Sequence, residues 1–351
     1  MTTATPASAA TTPLPIAPGI PFWERQKMRM DSLLLLLSNG NPRFLARPRF
    51  AQIEITSRCN LACRTCTRLQ LTDPGDMPFE SFQRAIDALG PLRRLWLSGQ
   101  GEPLLHPDLS RMIRYCRERG IDGTVLHTNA TLLEGARMEA LAASGLGELR
   151  VSIDGGTAED VEYMRAGAEM ATILANTASF VRLSDTPVAL YCVLNRRNHR
   201  SAPLLPGLAA EIGVRKVIAV ETVPFRDASN EREVFDRREY QFTGLSPGEQ
   251  RDTLRRLRAA GREHGVQIEV DLKWDRPRCQ EPSRKIYVDH KGQVTPCCRI
   301  HHEVVVGNLL DEGLDRVWYG PALQAWRRRM RGPDRSRLCV ERCNLGIARK
   351  P

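Results

Sequence analysis

Cys59-Asn60-Leu61-Ala62-Cys63-Arg64-Thr65-Cys66 is a loop of three closely spaced cysteines that follows the strand-like stretch Phe50–Thr56. Cysteine thiolates bind iron–sulfur clusters, and such clusters usually take four of them. Three thiolates on one loop leave one iron without a local protein ligand, and an open coordination position is typical of a site that performs chemistry. The alternative is a structural zinc loop, although such loops usually carry paired CxxC knuckles.

A glycine-containing turn ends the next strand-like stretch. After an amphipathic helical segment at about Pro78–Leu89, the run Arg94–Ser98 leads into Gly99-Gln100-Gly101-Glu102-Pro103. Glycines let the backbone approach a ligand closely, and the carboxylate of Glu102 favours an ammonium group. Such a turn is weak evidence by itself. Its place one strand–helix unit after the cysteine loop makes the two features support each other.

Together, the loop and the turn resemble the signature motifs of the radical S-adenosylmethionine (SAM) superfamily. The resemblance implies a [4Fe–4S] cluster whose fourth iron is chelated by the amino and carboxylate groups of SAM. The other three irons would then be held by Cys59, Cys63 and Cys66. The turn is similar to the family's GGEP motif, which holds the SAM amino group, with Gln100 in place of its first glycine.

Two further strand ends and one arginine extend the resemblance. Thr124–Asn129 and Leu149–Gly155 look like the third and fourth barrel strands of the family, whose polar ends face the SAM ribose and carboxylate. Arg165 matches an arginine that often pairs with that carboxylate, to which its planar fork of donors is suited. Taken singly, each would equally fit a strand terminus or a solvated arginine. Many relatives have an aromatic residue near the adenine where this chain has Thr65, whose backbone carbonyl could still contact the base. The resemblance implies SAM contacts from Thr65, Gly99, Gly101, Glu102, Asn129, Ser152, Asp154 and Arg165.

The alternation of strand-like and helical segments predicts the architecture. Six strand-like runs alternate with helical stretches between residue 48 and about residue 220, the pattern of parallel β/α units. We expect an α/β fold: a partial (β/α)6 TIM-like barrel with a small, cysteine-rich C-terminal extension. The expected divisions are a disordered tail (1–20), a helical segment (21–47), the barrel (48–245), and a helix plus the extension (246–351).

A second set of cysteines lies in the C-terminal extension. This region resembles the auxiliary-cluster domain called SPASM or, in its shorter form, twitch. The resemblance implies one auxiliary [4Fe–4S] cluster held by four thiolates, those of Cys279, Cys297, Cys339 and Cys343. A structural zinc site made by the same four cysteines is the alternative. Cys298 is then either a misassigned ligand or a bystander.

Cys192 lies on the fifth strand-like run, Val188–Leu194, outside both cysteine sets. Because strand residues alternate between faces, it shares a face with Leu190 and Leu194, which suit an interior layer. We therefore expect Cys192 to point into the barrel. By resemblance to the radical SAM epimerases, it would give a hydrogen atom to a substrate radical and invert the carbon. The alternative is a buried cysteine acting as a small hydrophobe.

The resemblance implies an enzyme that cleaves SAM to a 5′-deoxyadenosyl radical and abstracts a hydrogen atom from a substrate carbon. The stretch before Phe50 is short and rich in Pro and Ala, which argues against a leader-peptide recognition domain there. It favours a small polar substrate, such as a sugar, an aminoglycoside or a nucleotide-linked sugar. With Cys192 as hydrogen-atom donor, the expected reaction is epimerisation in natural-product biosynthesis. The alternatives are alcohol dehydrogenation with the auxiliary cluster as electron acceptor, modification of a ribosomally made peptide, and an iron–sulfur or zinc binding protein without catalysis. A reducing protein such as flavodoxin or ferredoxin is the expected partner.

Composition restricts the remaining possibilities. The net charge of the 351 residues is +10, yet no recognisable nucleic-acid module is present, so nucleic acid is not an expected partner. Ten cysteines in a long, arginine-rich chain do not indicate a disulfide scaffold. No signal peptide is evident, and the apolar run Leu33–Leu37 is too short to span a bilayer. We expect a cytoplasmic protein without a membrane partner.

Overall fold

The computed structural model describes residues 45–66, 68, 71, 73–221, 240–272, 281–297 and 304–329. The predicted tail at 1–20 and residues 21–44 of the predicted helical segment lie outside this part of the chain, so both stay predictions. The elements below belong to the compact unit formed by residues 47–351.

Ten strands of the described residues form one sheet. In chain order they are β1 Phe50–Ile53, β2 Arg94–Leu97, β3 Thr124–Thr128, β4 Glu148–Ser152, β5 Val188–Leu194, β6 Lys216–Glu221, β7 Gln267–Asp271, β8 Lys285–Val288, β9 Gln293–Thr295 and β10 Gly307–Asn308. Their order across the sheet is β10-β9-β8-β1-β2-β3-β4-β5-β6-β7. The strands from β8 through β1 to β7 are parallel, and β9 and β10 add antiparallel pairs at the β8 edge.

The parallel sheet confirms the predicted α/β class and the partial barrel. Two of its parallel strands, β7 and β8, are additional to the six predicted strand-like runs. Among the described residues no backbone pairing joins β7 to β8, so the barrel is not closed. The sequence signal of β7 is weak because Glu269 and Asp271 interrupt its apolar character.

Eleven helices accompany the described strands. They are α1 Phe79–Leu89, α2 Leu109–Glu118, α3 Gly135–Ala142, α4 Ala158–Met164, α5 Met170–Leu183, α6 Leu205–Glu211, α7 Pro247–Glu263, α8 Glu281–Arg284, α9 Leu309–Glu312, α10 Leu314–Trp318 and α11 Pro321–Arg329. Helix α1 buries one apolar stripe that includes Phe82, Ile86 and Leu89. Helix α7 begins with a reciprocal cap, in which the Ser246 hydroxyl accepts from Glu249 N–H and the Glu249 carboxylate accepts from Ser246 N–H.

The parallel arrangement brings the loops after β1, β2, β3 and β4 to the same end of the barrel, because each chain crossover returns to start the next strand in the same direction. The three cysteines, the glycine-containing turn, Asn129 and Asp154 are on these loops, whereas Arg165 follows α4. No helix of the described residues is long and apolar enough to cross a membrane.

Candidate functional site

The three-cysteine loop is tied by its backbone to the segment after α4. Ala62 N–H donates to the carbonyl of Ala166 at 3.0 Å, and Arg64 N–H donates to that of Met164 at 3.0 Å. These two hydrogen bonds flank Arg165 in the sequence. A residue about a hundred positions downstream is thereby placed beside the cysteines.

Cys59, Cys63 and Cys66 are half-buried and line one cavity. Burial raises the pKa of all three thiols, and it raises that of Cys63 to about 11 although the Arg165 guanidinium opposes the shift. A metal must therefore displace their protons in order to bind them as thiolates. The described residues contain no group of three or more His, Cys, Asp or Glu side chains placed around a single metal ion. Three separated thiolates instead suit a cluster in which each iron takes its own ligand.

The glycine turn, Gly99–Pro103, packs against the backbone just before the cysteine loop. A Cβ on Gly101 would lie 2.3 Å from the carbonyl oxygen of Thr56 and 2.6 Å from that of Arg58. Glu102 N–H donates to the Arg58 carbonyl at 2.7 Å. Glycine is required here because two backbone segments meet with no space for a side chain.

Gly99 is confined by a carboxylate that sequence analysis did not single out. Glu54, which is fully buried, accepts a hydrogen bond from Gln100 N–H at 2.6 Å and one from the Tyr287 hydroxyl at 3.1 Å. The His290 ring lies 3.4 Å from its other oxygen. Glu54 thereby connects the end of β1, the glycine turn and the end of β8. Its position after an apolar strand was the only available sequence signal.

Glu102 connects the ends of β2 and β3. Its carboxylate accepts hydrogen bonds from the Thr128 hydroxyl at 2.7 Å, Asn129 N–H at 2.7 Å and Leu104 N–H at 3.1 Å. Burial raises the pKa of Glu102, and these hydrogen bonds oppose the shift. Glu102 also lines the cavity, and its contact with the SAM ammonium stays a prediction.

Asn129 links the third strand end to the cysteine loop. Its amide nitrogen donates to the Asn60 side-chain oxygen at 3.0 Å, and Asn60 in turn donates to the Thr131 hydroxyl at 2.8 Å. Asn129 and Ser152 both line the cavity, as predicted for SAM contacts.

Arg165 and Asp154 form a buried ion pair. The Arg165 Nη2 to Asp154 Oδ2 distance is 2.8 Å, and Asp154 also accepts from Val193 N–H at 2.8 Å. Arg165 lines the cavity, and its buried Nε has no hydrogen-bond partner among the described residues. The arginine therefore retains a donor for a carboxylate, while Asp154 orients it.

The structure thus brings most of the predicted SAM-contact residues to one cavity of about 600 Å³. Thr65 and Asp154 are not part of its lining. Arg165 already pairs with Asp154, so the structure gives the Asp154 carboxylate the role of positioning Arg165. The donor set, the glycines without space for a Cβ and the open arginine donor fit SAM and a cluster held by three thiolates.

The inner part of the cavity is lined by strand side chains that the motifs did not identify. These include Gln52, Trp96, His127, Arg150, Tyr191 and Lys285. The His127 and Tyr191 rings meet edge to face with centroids 4.7 Å apart. Burial, reinforced by Arg150 and Lys285, lowers the pKa of His127 to about 3, so its imidazole is neutral at pH 7. In the sequence, polar residues two positions apart on a strand were the available indication that these side chains share one face.

The prediction that Cys192 points into the barrel is wrong. The register pairs Tyr191 with Ser152, and both line the cavity, so Cys192 lies on the opposite face of β5. It is fully buried there, and its sulfur lies 3.8 Å from the Asn198 side-chain nitrogen. Both faces of a central parallel strand are covered, so apolar neighbours do not distinguish the inner face from the outer one.

Of the predicted auxiliary ligands, Cys297 is described and is half-buried just after β9. The other three, Cys279, Cys339 and Cys343, lie outside the described residues, as does Cys298. Their assignment stays a prediction.

Comparison with known proteins identifies two domains. Residues 53–183 match the Radical SAM superfamily, and residues 279–344 match the SPASM iron–sulfur cluster-binding domain. These matches imply a [4Fe–4S] cluster, SAM and an auxiliary cluster, which confirms the predicted cofactors.

Two curated relatives align along most of the chain. The AdoMet-dependent heme synthase of Methanosarcina barkeri is 28% identical over 292 residues, covering 77% of this chain and 82% of that protein. The PqqA peptide cyclase of Gluconobacter oxydans is 26% identical over 303 residues, covering 82% of this chain and 81% of that protein.

Solved structures share the fold at low sequence identity. Streptococcus suis SuiB bound to S-adenosylmethionine superposes with a TM-score of 0.67 at 16% identity, over 92% of this chain and 76% of that chain. Native anSMEcpe with bound AdoMet and a peptide gives a TM-score of 0.61 at 15% identity, over 85% of this chain and 88% of that chain.

Proposed function

This chain is a radical SAM protein with a C-terminal SPASM domain, and on that premise we propose that it is an enzyme that modifies a peptide. The observation that carries the enzymatic part is the shared cavity in which the cysteine loop, the glycine turn and Arg165 meet. A protein that only binds iron or zinc needs no such constellation of SAM-contacting groups beside its thiolates.

Within the cavity each group has a definite part. Cys59, Cys63 and Cys66 would hold the cluster, which when bound would supply the electron for reductive cleavage of SAM. Glu102 offers carboxylate oxygens to the SAM ammonium.

Arg165 is the group that would hold the SAM carboxylate. Its Nη2 is fixed by Asp154 at 2.8 Å, and its Nε is buried without a hydrogen-bond partner among the described residues. An arginine already oriented by one carboxylate loses little freedom on binding a second. Asn129 and Ser152, at the ends of β3 and β4, complete the predicted contacts.

The peptide substrate is favoured by the curated relatives. PqqA peptide cyclase aligns along about four-fifths of each chain, and its name specifies a peptide. This supports the peptide alternative over the sugar epimerisation that the sequence favoured. The epimerisation hypothesis also required a hydrogen donor in the cavity, and Cys192 lies on the other face of its strand. The heme synthase relative makes an iron tetrapyrrole the second candidate substrate.

The remaining roles follow the sequence predictions. Cys279, Cys297, Cys339 and Cys343 are the proposed ligands of the auxiliary cluster. A reductant such as flavodoxin or ferredoxin is the proposed electron source.

The experiment uses anaerobically prepared holoprotein with SAM and dithionite. Synthetic peptides encoded by short reading frames next to this gene form one arm, and an iron tetrapyrrole with carboxylate side chains forms the other. We expect one of the peptides to raise 5′-deoxyadenosine formation and to change in mass. Chromatography measures the nucleoside, and mass spectrometry measures the peptide.

Two outcomes would contradict the proposal. Absence of 5′-deoxyadenosine under every condition, from protein with its full iron content, would contradict the enzymatic assignment. Conversion of the tetrapyrrole with no effect of any peptide would show that the substrate is a tetrapyrrole and not a peptide. The enzymatic assignment would then stay intact.

A further inference from the structure

Lys285 lies in the cavity towards the end opposite the cysteine loop. It is the first residue of β8 and pairs with Phe50, the first residue of β1, whereas the cysteines follow the end of β1. A four-residue strand spans about 10 Å between its first and last residues. The backbone of Lys285 is therefore separated along the strand direction from the cysteine loop.

The Lys285 ammonium is held in place by two contacts. It donates to the Gln52 side-chain oxygen at 2.7 Å and lies 4.3 Å from the centre of the Trp96 ring. Gln52 is itself fixed, because its amide nitrogen donates to the Ser98 carbonyl at 3.0 Å. An ammonium has three donors, and these contacts use one of them in a hydrogen bond.

Among the described residues, no carboxylate lies within ion-pairing distance of Lys285 Nζ, although Asp271 and Glu281 line the same cavity. Arg150, which lines the same cavity, differs in this respect. Its Nε and Nη2 donate to the two oxygens of Glu148 at 3.1 and 3.2 Å, so it has a close counter-ion, which Arg94 and Lys216 share.

His127 adds a neutral hydrogen-bonding group to the same cavity, nearer the carboxyl ends of the strands than Lys285. Its pKa of about 3 has burial as the main cause, and the positive charges of Arg150 and Lys285 add to it. The imidazole therefore offers polar nitrogens without a charge of its own. Within the part of the chain that the structure describes, the Lys285 ammonium therefore has no close counter-ion.

We propose that Lys285, with Gln52 beside it, binds a carboxylate of the substrate inside the barrel. The inference rests on the proposed function, since it takes the ligand to be the peptide. One unbalanced ammonium matches one negative charge, whereas a phosphate monoester carries about −1.5 to −2 at neutral pH. The carboxylate belongs to an acidic side chain or to the peptide C-terminus, and these two sources share one chemistry.

The test measures binding without turnover. Holoprotein saturated with SAM, with no reductant, is titrated by calorimetry with three small probes, so that the SAM site is already filled. N-acetyl-glutamate amide carries a side-chain carboxylate, N-acetyl-glutamine carries a C-terminal carboxylate, and N-acetyl-glutamine amide carries neither. We expect at least one of the two acids to bind and the neutral amide to bind at least roughly tenfold more weakly. The probe that binds identifies the source of the carboxylate.

Variants connect the binding to Lys285. Lys285→Met should weaken binding of the acid by roughly tenfold or more, because the charge partner is lost. Lys285→Arg keeps the charge and should retain part of the affinity. Retained affinity in this variant would show that the loss in Lys285→Met does not come from misfolding. Lys291→Met is the matched control, since Lys291 is exposed and pairs with Asp73 at 2.7 Å on the surface.

Three results would overturn the inference: equal binding of acid and amide, full affinity in Lys285→Met, or tighter binding of N-acetyl-phosphoserine amide than of either acid. Because no step requires a modified peptide, failure of the peptide assignment and failure of the carboxylate site give different results. The first is scored by product formation and the second by affinity.

Discussion

A Cβ added to Gly99 would lie 2.1 Å from a carboxylate oxygen of Glu54, so the glycine turn packs tightly against the residue that follows β1. The same carboxylate accepts from Gln100 N–H and from the Tyr287 hydroxyl. The conformation of the glycine turn therefore depends on a buried acid forty-five residues earlier in the chain.

Gly99→Ala should weaken SAM binding by roughly tenfold or more and lower the free energy of unfolding by about 1–3 kcal/mol, the usual cost of overpacking. The methyl group would displace Glu54, which its two hydrogen bonds hold in place. Calorimetric titration with SAM and urea unfolding measure the two effects. Gly248→Ala is the matched control, because the nearest atom to its added Cβ is the Ser246 Oγ at 3.9 Å. Equal behaviour of the two variants would contradict this account of the turn.

Iron content should separate the two cysteine sets. We expect about eight irons per chain in the intact protein and about four after simultaneous replacement of Cys279, Cys297, Cys339 and Cys343 by Ala. Changing any of Cys59, Cys63 or Cys66 to Ala should abolish 5′-deoxyadenosine formation, because an incomplete thiolate set does not hold the redox-active cluster.

Cys116→Ala is the control for cysteine removal itself. Cys116 is fully buried on α2 and does not line the cavity. Its replacement should leave iron content and SAM cleavage near their normal values. Full activity in a Cys59, Cys63 or Cys66 variant would refute the cluster assignment, and zinc in the C-terminal site would refute the auxiliary cluster.

The metal-free protein should lose stability as pH rises from about 9 to about 11. Burial raises the pKa of Cys63 from 9.0 in its unperturbed state to about 11 in the folded chain. A raised thiol pKa means that the folded state holds the proton more tightly than the unfolded state. The associated stability is therefore fully present below pH 9 and disappears as pH passes through the folded pKa. Two pH units correspond to at most about 3 kcal/mol.

The comparison of the parent protein with Cys63→Ala isolates this effect from other titrating groups. Urea unfolding is followed at several pH values under anaerobic, reducing conditions without iron. The difference in unfolding free energy between the two proteins should shrink with rising pH. A difference that stays constant between pH 8 and pH 11 would show that the thiol is not shielded from solvent as its burial indicates.

The sequence by itself determined the local motifs and the class of fold. The cysteine loop and the Gly99–Glu102 turn each lie within a few consecutive residues, so their chemistry can be recognised without knowing the pairing of distant strands. The run of β/α alternation likewise predicted a parallel sheet, because strand-like runs that alternate with helices have few other arrangements.

The tertiary structure decided which side chains meet in the cavity. Alternation along β5 showed that Tyr191 and Cys192 face opposite ways, but the register with Ser152 placed Tyr191 inside. Lys285 enters the site only because β8 pairs with β1, more than two hundred residues earlier in the chain. Glu54 likewise confines Gly99 only after β1 and β2 pair. Such contacts depend on which strands become neighbours, a choice made by the packing of the whole sheet and by no short segment alone.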